Sequence, residues 1–144
     1  MRNQYKILAE KYEQVLEAVQ EPVMTSYDNG TKEWRLNNGK LHRLDGPAIE
    51  WADGTESWFH NGYLHRLDGP AVKDAVGSTV WKRYGKFHRL DGPAIEWTDG
   101  TKAWFINGKE YSENEFNKEI WDRNPTRRNI LKRASGKAGI EMDI

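Results

Sequence analysis

The heptapeptide HRLDGPA stands at His42–Ala48, returns at His65–Ala71 and returns again at His88–Ala94, each time after 23 residues. The glycines keep the same beat, falling at 39, 46 and 54, then 62, 69 and 77, then 85, 92 and 100, and once more at 108. A fixed period of this length marks stacked supersecondary units, none of which can bury its apolar side alone. Trp58, Trp81 and Trp104 are equivalent in this frame, and Leu41, Leu64 and Phe87 precede the histidines. An incomplete leading unit, DNGTKEWRLNNGK, puts Trp34 in the same role after a one-residue insertion.

Between the glycines lie short runs rich in Trp, Phe, Ile, Val and Thr, bounded by Asn61-Gly62, Asn107-Gly108, Asp53-Gly54 and Asp99-Gly100. Those dipeptides supply the positive φ of tight hairpin turns, so the runs read as β-strands. Proline cannot donate to a central ladder, and the Gly-Pro of the heptapeptide therefore marks a corner after which AIEW or AVKD starts a new strand. Tyr5, Leu8, Tyr12, Val15 and Val19 follow helical spacing and predict an N-terminal capping helix within residues 1–22. Ser112 and Glu115 form a capping box that predicts a second capping helix over 112–124, carrying Phe116, Ile120 and Trp121 and stopped by Asn124-Pro125.

The expected fold is mainly β: an elongated stack of about 3.5 hairpin repeats over residues 27–111 with a helix at each end. A three-sided β-solenoid with one coil per 23 residues satisfies the same rhythm and stands as the alternative. Residues 125–144 form a basic tail.

Lys and Arg number 22 and Asp and Glu 22, so no global field draws the chain to nucleic acid or an anionic bilayer. The absence of cysteine removes thiol nucleophiles and thiolate metal sites and fits a reducing, cytoplasmic setting. No stretch approaches the roughly 20 apolar residues of a membrane span, and no membrane partner is expected.

The pattern W-x-x-N-G-x-x-H, followed by Gly and then D-G-T at this period, resembles the MORN repeat, and the HR-x-DGPA form is similar to the variant found in bacterial and phage proteins. The likeness covers roughly residues 27–111, and NGKEYSENEF looks like the usual close of such arrays. It implies a row of β-hairpins in a twisted sheet, and a phage-type host-interaction or defence-inhibiting protein acting in the host cytoplasm. The substitution of His-Arg-Leu-Asp-Gly-Pro-Ala for the His-Gly of ordinary MORN units is a departure from the family pattern.

Two readings of the heptapeptide stay open. In one, His42, Arg43, His65, Arg66, His88 and Arg89 form a column of donors for a nucleotide or other small anion. In the other, each arginine pairs with the aspartate two residues on, each histidine satisfies turn backbone, and the motif recurs because stacking requires it. Equivalent histidines in units of two strands stand roughly 9 to 10 Å apart, too far to share a metal. The tryptophans Trp34, Trp58, Trp81 and Trp104 read as a core ladder, or as exposed stacking surfaces.

The middle unit drifts from its neighbours: Asp74 stands where Trp51 and Trp97 stand, and Tyr84 replaces Asn. Such drift is either neutral or the mark of a surface that meets something, and in the second reading Lys73, Asp74, Lys82, Arg83 and Tyr84 are the expected centre of a protein contact. Arg127, Arg128, Lys132 and Arg133 in the tail are candidates for nucleic-acid contact. The N-terminal heptad is a candidate homodimer seam. No catalytic constellation and no cofactor motif is present, so the expected function is that of a non-catalytic protein-binding module.

Overall fold

A computed structural model describes residues 20–126 continuously, together with positions 4, 6–8, 10, 11, 129, 133 and 134. Its strands are β1 (Val23–Ser26), β2 (Lys32–Arg35), β3 (Ile49–Glu50), β4 (Glu56–Ser57), β5 (Phe59–His60), β6 (Tyr63–Leu64), β7 (Val72–Lys73), β8 (Thr79–Val80), β9 (Lys82–Arg83), β10 (Lys86–Phe87), β11 (Ile95–Glu96), β12 (Lys102–Ile106) and β13 (Lys109–Tyr111). Nine of them make one open sheet in the order β1-β2-β3-β4-β7-β8-β11-β12-β13, while β5-β6 and β9-β10 are separate hairpins. Every pairing among these strands is antiparallel. That is the geometry of hairpins, whereas coils stacked as a solenoid meet in parallel.

Trp34, Trp58 and Trp81 are the joints at which a strand changes partner. Trp58 donates its N–H to the Ala71 carbonyl at 2.7 Å, on the β4 side, and accepts from the His65 N–H at 3.0 Å, on the β5 side. Trp34 uses Ala48 and His42 in the same way, and Trp81 uses Ala94 and His88. The hairpin turns then bind the unit before them: Gly62, Gly85 and Gly108 each donate to a carbonyl 21 residues earlier, of Leu41, Leu64 and Phe87, all at 2.8 Å.

The core is narrow. Ala48, Ala71 and Ala94 are fully buried, joined by Ile49, Ile95, Ile106 and Phe116. Trp34, Trp58, Trp81 and Trp104, expected as a core ladder, are half-buried. The alanines take the centre at the joints, where their carbonyls accept the backbone N–H groups of Trp34, Trp58 and Trp81.

The C-terminal helix, Glu113–Arg123, starts at the capping box of Ser112 and Glu115 and ends at Asn124, as the sequence indicates. Phe116 is its buried anchor against the β12-β13 end of the sheet. At the other end, Gln4, Lys6–Leu8, Glu10 and Lys11 are helical, and Leu8 is 55% exposed. Tyr5, Tyr12, Val15 and Val19 lie outside the described residues. Among the described residues no helix is long and apolar enough to cross a membrane.

Candidate functional site

The heptapeptide is a corner whose polar groups are bonded within the protein. Arg66 lays its guanidinium on the Trp58 ring at 3.8 Å, donates from Nε to Asp68 at 2.9 Å, and donates from Nη1 to the Pro70 carbonyl at 3.4 Å. Arg43 repeats this on Trp34, Asp45 and Pro47, and Arg89 on Trp81, Asp91 and Pro93. Glycine lets the guanidinium lie close to the backbone: a Cβ on Gly46, Gly69 or Gly92 would stand 2.6, 2.7 or 2.9 Å from the Cζ of the same unit's arginine and displace it. The Arg66 bond holds the Asp68 carboxyl below its ordinary range. An anion-binding column needs free donors, and these guanidinium groups are stacked and already carry carboxylate and carbonyl partners.

The histidines serve the stacking. His42, His65 and His88 each accept at Nδ1, all at 3.0 Å, from the backbone N–H of Asn61, Tyr84 and Asn107 in the next unit. Those donors are the first residues of the tight turns, with φ of 48°, 46° and 49°. Nδ1 can accept only when it carries no proton. Burial lowers the basicity of all three rings; the charge of His60 adds to this at His42 and His65, and that of Arg83 at His65 and His88. His60 stands between His42 and His65, with ring centroids 4.8 and 5.7 Å away. Among the described residues no group of three His, Asp or Glu side chains is placed to hold a metal ion.

The middle unit departs from its neighbours for a local reason. In the outer turns Asp53 and Asp99 accept the N–H of Thr55 and Thr101. In the middle turn Val76 stands in the aspartate's place, and Asp74 accepts from Val76, Gly77 and Ser78 together. The carboxylate has moved two residues back along the chain and closes the turn from its other end.

The five residues expected to centre a protein contact are divided between two hairpins. Lys73 and Asp74 sit at the turn that precedes β8, and Arg83 and Tyr84 at the turn that follows β9. Lys73 stands opposite Thr79 in the large sheet, whereas Lys82 and Arg83 pair with Phe87 and Lys86 in a separate hairpin. Lys82 lies over the Phe87 ring at 4.2 Å. In the tail Arg133 is helical and exposed, while Arg127, Arg128 and Lys132 lie outside the described residues.

One row of side chains escaped the sequence reading as a candidate surface. Leu44, Leu67 and Leu90, the third residues of the heptapeptides, are 76%, 66% and 44% exposed. A cavity of about 710 Å³ joins Leu44 to Asn38, His60 and Asn61 of the neighbouring turns. A second, of about 300 Å³, joins Leu67 and Leu90 to Arg83 and His88. The signal was in the repeat itself, since an apolar residue held at one place in a turn-forming motif has to face either the core or a partner.

No family model, curated protein or solved structure matches the chain.

Proposed function

We propose that the chain is a MORN-like, non-catalytic protein-binding module. The observation that carries this reading is the exposed leucine row on a scaffold whose repeated polar groups are bonded internally. A leucine at one position of three successive units forms no part of the corner's bonding, and regularly spaced exposed apolar side chains on a sheet are what a macromolecular partner buries. A sheet fixed by bonds from each unit to the next loses little ordering entropy on binding, so such a surface needs no chemistry to be effective. A phage-type host-interaction or inhibitory role is the setting this reading favours.

Native mass spectrometry tests it, applied to the protein gently purified from its natural cell beside a Leu44→Ser/Leu67→Ser/Leu90→Ser variant. The parent is expected to carry a protein-sized added mass that the variant has lost. A parent that retains only a small-molecule mass overturns the reading in favour of a ligand-binding protein.

A further inference from the structure

The zero net charge conceals a separation. Every strand of the array runs between two rows of turns, one at each end. In the first row, residues 27–31, 51–55, 74–78 and 97–101, the charged side chains are Asp28, Asp53, Asp74 and Asp99, one aspartate per turn and no Lys or Arg. In the second, residues 36–40, 60–63, 83–86 and 106–109, they are Lys40, Arg83, Lys86 and Lys109, with no Asp or Glu. All four cations are exposed. The ion pairs found along the array belong instead to its strands and corners, at Lys32, Arg35, Arg43, Arg66 and Arg89.

The basic row also carries a residue that works against its own backbone. The first position of a turn with two positive φ values favours Asn or Gly, and Asn61 and Asn107 occupy it in the neighbouring units. Tyr84 occupies it in the middle unit at φ 46°, a left-handed conformation that is costly for a bulky side chain, and is 55% exposed. One face of its ring rests on His65, with centroids 4.0 Å apart. Tyr63, 57% exposed, lies across the same turn, its Cδ1 3.3 Å from where a Cβ on Gly85 would stand. The second cavity, with Arg83 in its wall, opens between this row and the leucines, while the first, beside Leu44, is lined by Glu21 and Asp45 as well as by turn residues.

We infer that the basic turn row together with the adjoining leucine row is the docking surface, and that its occupant is an acidic protein segment bearing apolar side chains. The inference rests on the protein-binding reading above and names the partner's chemistry. Lys40, Arg83 and Lys86, which form no ion pair among the described residues of the array, fit carboxylates, whereas Lys109 at the end of the row already faces Glu115; Leu44, Leu67 and Leu90 fit apolar side chains. The aspartates beside those leucines are each paired with their own arginine. A nucleic-acid strand fits less well. It gains nothing from leucines, Tyr63 interrupts the cation row at the second turn, Tyr84 has only one ring face open for stacking, and the aspartate row repels a long polyanion.

The test is fluorescence anisotropy of the full chain with a labelled Leu-Glu-Glu repeat peptide, a Leu-Lys-Lys control and an oligo(dT) strand. The acidic peptide is expected to bind saturably and more weakly as salt rises. Arg83→Glu/Lys86→Glu is expected to weaken it by about tenfold or more, and Leu67→Ser/Leu90→Ser by a similar factor. Asp53→Lys/Asp99→Lys in the opposite row is expected to leave affinity unreduced, and circular dichroism verifies that each variant folds. Absence of saturable binding, indifference to the Arg83/Lys86 reversal, or tighter binding of oligo(dT) each overturns the inference. Native mass spectrometry separates this failure from failure of the broader reading: a protein mass held equally by parent and by Arg83→Glu/Lys86→Glu sinks the surface assignment alone.

Discussion

The middle unit and its two neighbours share a corner and differ in a turn. Arg66, Trp58, Asp68, Gly69 and Pro70 repeat the geometry of the flanking corners to within a few tenths of an ångström. The turn that follows has exchanged Trp for Asp74 and Asp for Val76, yet its N–H groups are still satisfied. The corner resists change because one arginine must meet a ring, a carboxylate, a carbonyl and a glycine together. The turn tolerates change because any carboxylate within reach of its N–H groups closes it.

The largest test of that contrast lies in the corner. Ala71 is fully buried where the strand segments diverge, so Ala71→Leu is expected to cost about 1–3 kcal/mol of stability, measured by chemical denaturation. A near-neutral result would mean the corner is looser than its bonds imply.

Next comes the turn, where compensation is the point at issue. Asp74→Trp alone is expected to lower the thermal midpoint, since the N–H groups of Val76 and Ser78 lose their acceptor and that of Gly77 keeps only the residue's backbone carbonyl, and the added Val76→Asp is expected to recover most of the loss. Asp74→Ala is expected to lower the midpoint more than Asp53→Ala, which removes an aspartate accepting the N–H of Thr55. Additive effects of the two middle-turn changes in a thermal-melt cycle would show that the carboxylate has not simply moved.

A smaller effect comes from the bonds that both kinds of unit share. His42, His65 and His88 have lowered pKa values, so their contribution to stability is present above the ordinary histidine value of about 6.5 and is lost as pH falls through the lowered folded values. Thermal midpoints are expected to drop with acidification in this window. His65, which faces His60, Tyr84 and Arg83, can be replaced by Asn, whose side-chain oxygen accepts without titrating. The slope of midpoint against pH is expected to flatten in His65→Asn.

The smallest expected effect concerns a missing partner. Arg43 and Arg89 meet Glu50 and Glu96 at 3.3 and 4.0 Å, while Lys73 holds the equivalent place near Arg66. Lys73→Glu is expected to add a few tenths of a kcal/mol, detectable by comparing denaturation midpoints at low and high salt.

The local rules were legible in the sequence. The positive φ at Asn61 and Asn107, the capping box at Ser112 and the bond from each arginine to the aspartate two residues on all depend on neighbours within a few positions. The acceptor role of the histidines was not, because the N–H that each one binds lies 19 residues away and only the stacking brings it near. The tryptophans were misplaced because bulk suggests a core, while the buried centre belongs to Ala48, Ala71 and Ala94 and the indoles lie half-buried, three of them under arginines. The separation of charge was written in the sequence but had no meaning until the strands assigned each turn to an end.

The bonds from each turn to the unit before it have a kinetic consequence. Among the described residues the array's hydrogen bonds join positions no more than 21 apart, so little chain must be closed before any of them forms. Low contact order makes rapid folding the expectation even for a mainly β molecule. Each completed unit then offers a template to the one after it, and assembly can proceed along the row in the order in which the ribosome delivers it.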